Sequence, residues 1–192
     1  MQHTVVRLER LDQGHRDDLA AAVRPGELWR TWYTAIPSPE EMTADIDHRL
    51  AEHAAGRVAP WAIIDTRSSA AVGVTTYLNL DETHRRLEIG STWLGRHVQG
   101  GPVNPATKLL LLRRAFEELG CLAVEFRTHW HNHQSRAAIA RLGAKQDGVL
   151  RNHRIMPDGS LRDTVVYSIL NTEWPAVRAG LTARLATGGE QR

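Results

Sequence analysis

The stretch THWHNHQS, residues 128–135, places His129, His131 and His133 at alternate positions just ahead of Ser135. Imidazole exchanges protons near neutral pH and is a common metal ligand. On one continuous strand the three rings would share a face and could hold a metal together. The residues that follow point to a different geometry. Asn132 suits a helix N-cap, and Ala138, Ile139 and Leu142 keep helical spacing behind it. His133 then becomes the first helical residue and turns away from the other two. The stretch carries no carboxylate or cysteine to complete a ligand set, so no metal is expected. His129 and His131 stay as candidate proton acceptors. The same spacing sets Ser135 on the apolar face of the helix, either as a core hydroxyl bonded to backbone or as a hydroxyl opening onto a cleft.

A second chemical signal lies upstream in GRHVQGGPVNPATK, residues 95–108. Its glycines let backbone approach a ligand, and the loop runs straight into a helix start, where free N–H groups and the helix dipole favour an anion. Asn104 is the expected cap, and Arg96, His97 and Lys108 bring positive charge. The stretch is either a phosphate cradle or a plain Gly/Pro turn. It is neither a Walker loop, since no GK[ST] follows, nor a dinucleotide fingerprint, since GxGxxG is missing.

The elements that must position these residues follow from the pattern. Residues 4–11 read as a strand and residues 12–23 as a short helix. An irregular stretch holding Trp29, Trp32 and Tyr33 leads to a helix opened by a Ser38–Glu41 capping box, with Pro39 at its first position, and stopped by Gly56. PWAIID and AVGVTTYLNL form a hairpin around TRSSA, and RLEIGSTWL, residues 86–94, is the third strand of that group. In the helix PATKLLLLRRAFEELG, Leu109, Leu112, Phe116 and Leu119 form the buried stripe, opposite Lys108, Arg114 and Glu118. CLAVEFRT is a strand, NHQSRAAIARLG a helix, and AKQDGVLRNHRIM and LRDTVVYSIL are strands around the turn PDGS. A short closing helix fits TEWPAVRAGL. The sum is one α+β domain over residues 1–180, with residues 181–192 as a flexible tail.

Bulk properties narrow the function classes. A chain of 192 residues, 42% hydrophobic and 24% charged, suits one soluble domain. A formal net charge of +2 is too mild for a nucleic-acid partner and suits a small polyanion. Cys121 is the only cysteine, so no intramolecular disulfide can form. The N-terminal segment is too charged for a signal peptide, and no apolar run reaches about 18 residues. A cytoplasmic location with no membrane partner is the expectation.

From LEIGSTWL through the glutamine-bearing loop, helix, strand, NHQS helix and closing RDTVVYSIL hairpin, the order resembles the GNAT superfamily of acetyl-CoA-dependent N-acetyltransferases. It is most similar to the RimJ/RimL-type group, the ribosomal-protein N-terminal acetyltransferases. LEIGSTWLG resembles that group's EIG-x-WL strand. AFEELG, the N-x-x-S of NHQS, RLGAKQDGVLRNHRI and RDTVVYSIL-x-x-EWP match its later segments in order and spacing, over about residues 4–178. The resemblance implies the GNAT fold: a mixed, mostly antiparallel seven-stranded sheet whose central strands splay apart, with flanking helices and acetyl-CoA in the V. Carried over by position, Gln99, Gly100, Gly101, Val103 and Asn104 fall in the Q/R-x-x-G-x-G/A motif for the pyrophosphate. Trp93 and Leu94 would bond the pantetheine through their backbone, and Asn132 and Ser135 would meet the pantetheine and thioester end. Pro102 stands where the motif has its central glycine and removes one N–H; Asn104 stands where it has Gly or Ala.

The implied reaction is direct attack of a primary amine on the acetyl thioester within a ternary complex. Glu88, beside the splay, is the first candidate for the base, the alternative being a paired or surface carboxylate; His129 and His131 are the other candidates. The tyrosine acid common in the family has no counterpart in residues 129–143, and Ser135 is carried into that role. Trp29, Trp32 and Tyr33, with His131 at the cleft mouth, either wall the amine pocket or pack helices on the sheet. The acceptor is a protein N-terminus or a small-molecule amine, and the resemblance allows a homodimer. The competing class is a catalytically silent acyl-CoA-binding domain with a regulatory or interaction role.

Overall fold

The computed structural model describes residues 1–187. Seven strands, β1 (Val6–Arg10), β2 (Ala59–Asp65), β3 (Ala71–Asp81), β4 (Arg86–Leu94), β5 (Ala123–His129), β6 (Lys145–Ile155) and β7 (Leu161–Leu170), form one sheet. Their order is β1-β2-β3-β4-β5-β7-β6. Every neighbouring pair is antiparallel except β4 with β5. A parallel pair needs a crossover, and α3 (Val103–Arg113) supplies it. The remaining helices are α1 (Arg16–Val23), α2 (Met42–Ala54), α4 (His133–Ala140) and α5 (Trp174–Thr187). This is the α+β sheet with a central splay that the sequence led us to expect. Strands β4 and β5 pair only at Arg86–Ala123, Leu87–Val124 and Glu88–Glu125. Beyond Glu88 they part.

Alternation along the strands gives the sheet two apolar faces. On one, Leu19, Val23, Met42 and Ile46 of α1 and α2 cover Ile64, Val74 and Trp93. On the other, Val103, Leu110 and Leu111 of α3 and Trp174 and Leu181 of α5 cover Tyr77, Phe126 and Ile169. The buried Tyr77 hydroxyl donates to the Leu111 carbonyl at 2.6 Å, tying sheet to helix. Cys121 is buried, and burial pushes its thiol pKa up.

Four local expectations need correction. Helix α3 starts at Val103 with Pro102 as its N-cap residue, so Asn104 sits inside the first turn and does not cap. The apolar stripe is too narrow and runs too far: Leu112 is buried and Leu109 and Phe116 pack on the core as expected, but Leu119 is 47% exposed and Leu110, Leu111 and Lys108 are buried as well. Lying between the sheet and α5, α3 is covered on more than one side. At Arg114–Glu118 it widens into a π-helical turn that breaks the phase of the pattern. The Ser38–Glu41 box forms, with Ser38 N–H donating to Glu41 Oε2 at 2.9 Å, but it closes a turn, and α2 begins at Met42. Finally, α5 runs through Thr187 with Leu181 buried, so the tail does not begin at residue 181; residues 188–192 of that expected tail lie outside the described residues. No helix among the described residues is long and apolar enough to cross a membrane.

Lys108 is the unexpected member of the core. Only 6% exposed, its ammonium donates to Thr92 Oγ1 at 2.9 Å and to Thr75 Oγ1 at 3.5 Å, and no carboxylate among the described residues pairs with it. Burial lowers its pKa from 10.5 to about 7. Between those values the unfolded chain holds a proton that the folded chain has released, so this group makes stability rise with pH across that window. Lys108→Met removes the cost of the buried amine. Urea denaturation from pH 6 to pH 10 is expected to show the variant ahead at or below about pH 7, with its lead shrinking as pH rises by up to about 1.4 kcal/mol per unit. Parallel stability curves would mean that the Lys108 ammonium costs the fold nothing.

Candidate active site

Glu88 is the last residue of β4 that pairs with β5, so its side chain stands where the V opens. It is 6% exposed. Its Oε2 accepts from Asn79 Nδ2 at 2.8 Å and faces Arg127 Nε at 3.6 Å. Burial raises its pKa, only partly offset by the Arg127 charge and the Asn79 hydrogen bond. Gly90 makes this placement possible. A Cβ there would stand 2.6 Å from Glu88 Oε1 and 2.8 Å from Leu78 Cδ1, so in EIG the glycine clears space for the carboxylate. Oε1 makes no hydrogen bond among the described residues. One residue further, Ser91 has φ +45° and β4 carries an extra residue opposite β3, a bulge that re-aims the strand as it leaves β5.

At the far end of β5 the irregular stretch before α2 folds over the histidines. Trp32 packs edge-on to His129 with ring centroids 5.1 Å apart, and on His131 at 5.7 Å, while Tyr33 lies 6.2 Å from His129. Trp29 is not part of this group; it packs against the core beneath α1 and α2. His129 is 3% exposed, and its Nδ1 accepts the backbone N–H of His131 at 3.1 Å. Burial lowers its pKa, aided by the charges of Arg162 and His131. A neutral ring that accepts at Nδ1 carries its proton on Nε2, and that buried N–H has no partner. His129 is therefore presented as a hydrogen-bond donor. His133 is the first residue of α4, turned away from this cluster, and no group of three metal-binding side chains assembles among the described residues.

The other wall of the V is made by backbone. Gly95 N donates to Val72 O at 2.7 Å, so antiparallel alternation turns the Trp93 backbone toward β3 and that of Leu94 into the gap. The Leu94 carbonyl accepts from Gln99 Nε2 at 2.8 Å, and Gln99 Oε1 accepts from Gln134 Nε2 of α4 at 3.2 Å. Past Gln99, Gly100 has φ +74° with open space around it. The N–H groups of Gly100, Gly101, Val103 and Asn104 make no backbone hydrogen bonds among the described residues. Free donors leading into a helix N-terminus fit a pyrophosphate. Prolines 102 and 105 remove two others, and the expected positive side chains are not directed here. Arg96 lies over Gly26, His97 packs on Gly95, and Lys108 is turned under the sheet. Across the gap, Asn132 Oδ1 accepts from Ser135 N at 2.9 Å and caps α4. The Ser135 hydroxyl, half-buried, makes no hydrogen bond among the described residues, which removes the backbone-bonded alternative.

The structure thus brings Glu88 to the root of the V, Leu94, Gln99–Gly101, Val103 and Asn104 to one side, and Asn132 with Ser135 to the other. Trp32, Tyr33 and His131 stand above. Sequence reading missed Asn79, whose φ of +48° in a strand bulge no alternation pattern signals. It also missed Arg127, though the Glu125-x-Arg127 spacing on one face of β5 was a usable sign.

A model of the acetyltransferase (GNAT) domain family matches residues 6–145, and the chain belongs to that family. Among individual relatives is YdaF of Bacillus subtilis (strain 168), provisionally named a ribosomal N-acetyltransferase; it is 33% identical over 102 residues. That match spans 53% of this chain and 55% of YdaF, so about half the length of the curated relative is covered. A GCN5-related N-acetyltransferase from Brucella melitensis is 30% identical, with TM-score 0.86 over 96% of this chain and 84% of that one. RimJ of Mycobacterium smegmatis, solved with CoA-disulfide, shares the fold at 21% identity, with TM-score 0.78 over 93% and 88% of the two chains.

The two α4 residues differ in what their loss removes. Asn132→Ala deletes a helix cap and is expected to cost about 1 kcal/mol in urea denaturation. Ser135→Ala deletes a hydroxyl without a partner and is expected to stay within about 0.5 kcal/mol of the parent. A larger loss at Ser135 would give its hydroxyl a structural role.

Proposed function

We propose that this chain is an acetyl-CoA-dependent N-acetyltransferase acting on a primary amine by direct attack in a ternary complex. The observation that carries the reading is Glu88: a carboxylate with a raised pKa and one free oxygen, placed where the two central strands separate. In this reaction a new N–C bond forms, the C–S bond of the thioester breaks, the ammonium loses protons and the departing thiolate gains one. Glu88 takes the proton from the acceptor ammonium, since its raised pKa brings it nearer to that of the amine. The free N–H groups of Gly100, Gly101, Val103 and Asn104 take the pyrophosphate. The Leu94 N–H and the α4 mouth at Asn132 and Ser135 position the pantetheine and thioester. Ser135 passes a proton to the thiolate, directly or through water. Trp32, Tyr33 and His131 wall the acceptor. The names carried by YdaF and RimJ make a protein N-terminus a natural acceptor to test beside small amines.

Two measurements test this reading. Calorimetry with acetyl-CoA is expected to show binding, and none at millimolar cofactor would end the proposal. An acetylation screen over amines and N-terminal peptides, read by released CoA thiol, tests turnover; binding without turnover on any acceptor would favour the silent acyl-CoA-binding module. With an acceptor in hand, Glu88→Gln is expected to lower kcat by roughly 100-fold or more. It should also abolish a rise in rate with pH whose apparent pKa lies above the ordinary carboxylate range. Unchanged turnover in a folded variant would move the base elsewhere.

A further inference from the structure

Opposite the cofactor side of Glu88, the β5–β7–β6 half of the sheet carries an arginine arrangement that the reaction so far does not use. Arg154 on β6 and Arg162 on β7 are direct cross-strand partners. Like charges in that position repel and weaken a sheet unless something lies between them. Here nothing on the chain does. Among the described residues Arg154 makes no hydrogen bond or ion pair, and Arg162 bonds only Thr164 Oγ1, at 3.0 Å. The pair lies next to the hairpin turn, one step past Ile155–Leu161, and an irregularity in β6 follows it. Between Leu150–Thr164 and Arg154–Arg162, β6 spends three residues where β7 spends one, and Asn152 there has φ +49°. That detour sets His153 Nδ1 against Thr164 Oγ1 at 3.1 Å.

These groups share a sheet face with Glu88: register and alternation set Arg162 and Arg154 on the side of β7 and β6 that Glu125, Arg127 and His129 occupy on β5. Arg154 and Arg162 both lie close enough to Glu88 for their charges to act on it, and Arg162 acts on His129 as well. Arg162 is half-buried, and burial, reinforced by Arg154, lowers its pKa; the guanidinium is short of both water and a counter-charge. Around Glu88 stand four guanidiniums, Arg86, Arg127, Arg154 and Arg162, against two carboxylates, Glu88 and Glu125. Glu125 is already held by Arg86 and Arg127. The remaining carboxylate nearby on β7, Asp163, is bound by Arg151 at 2.5 Å and by the backbone N–H of Asn152. Positive charge is in surplus on this side of Glu88.

We propose that Arg154 and Arg162 hold an anionic group of the acceptor, so that the preferred acceptor is an amine that also bears a carboxylate or phosphate. This rests on the reading above, in which the amine itself meets Glu88. A guanidinium pair matches the oxygens of such a group by charge-assisted hydrogen bonds, and it disfavours polyamines and other polycations. The anion can belong to a small amino acid-like molecule or to an acidic side chain near a peptide N-terminus.

The test uses matched acceptors in two arms. One arm pairs 4-aminobutyrate with its amide; the other compares the peptides Ser-Glu-Ala-Ala, Ser-Gln-Ala-Ala and Ser-Lys-Ala-Ala, all with amidated C-termini. Kd is measured on the whole protein saturated with CoA, and KM and kcat wherever transfer occurs. In at least one arm the acidic member is expected to bind about 10-fold or more tightly than its neutral twin, with the preference in KM and not in kcat. The arm that responds identifies the source of the anion. Arg154→Gln and Arg162→Gln should each shrink the ratio, the double variant should bring it near one, and Arg162→Lys should restore part of it. Equal Kd values in both arms, or an acidic preference that survives the double variant, would overturn the proposal. Because binding is read without turnover, a protein that prefers acidic amines yet transfers nothing would sink the transferase reading and keep this one.

Discussion

Parallel pairing between β4 and β5 stops after three residues, and the site is built around that stop. A parallel ladder left to continue would have filled the space with backbone hydrogen bonds. The bulge at Ser91 turns β4 away; beyond it β4 is paired only to β3, and β5 only to β7. The six residues of β4 beyond Glu88 make an arm of roughly 20 Å at about 3.3 Å per residue, so a one-degree rotation at the seam moves its tip by about 0.3 Å. Residues at the seam therefore set the width of the gap. Glu88 and Glu125, with Arg86 and Arg127 bound across them, fix chemistry and shape in the same few positions.

The two walls of the gap hold their ligands by different physics. On the α3 side the donors are backbone N–H groups on a glycine turn and a helix mouth, short in range and fixed by the fold. On the β5–β7–β6 side the donors are long side chains whose charge acts over several ångströms. In the proposed reaction the first wall would read phosphate and pantetheine geometry, and the second net charge. Glu88 lies between them, shielded from water by Gly90 and Leu78 and therefore reluctant to ionise.

Most of the framework was legible in the residues. Hairpin turns such as PDGS, the two-residue alternation of RLEIGSTWL and the Asn132 cap each express local chemistry that tertiary contacts did not override. What escaped depended on contacts far along the chain. Lys108 was read as a surface charge because lysines rarely lack a counter-ion in a core, and only the threonines of β3 and β4 explain its burial. The apolar face of α3 was drawn too narrow because α5 covers a second side of it, and too long because the π-helical turn shifts the helix at Arg114. Arg154 opposite Arg162 was countable from the PDGS turn, one step past Ile155–Leu161, but their lack of a counter-charge depends on Glu125 and Asp163 being bound elsewhere. Asn104 was drawn as a cap on its type alone, while Pro102 already occupied that place.

Cys121 acquires meaning from the proposed product. The proposed reaction would put the free thiol of CoA beside the protein on every cycle, and a thiol in the presence of any oxidant forms mixed disulfides with accessible, ionised cysteines. The chain has a single sulfhydryl, sealed behind the end of α3 and held in its protonated form by burial. It offers neither the thiolate nor the access that exchange needs. Burial of Cys121 would thus keep the chain from pairing with the thiol that the proposed reaction releases.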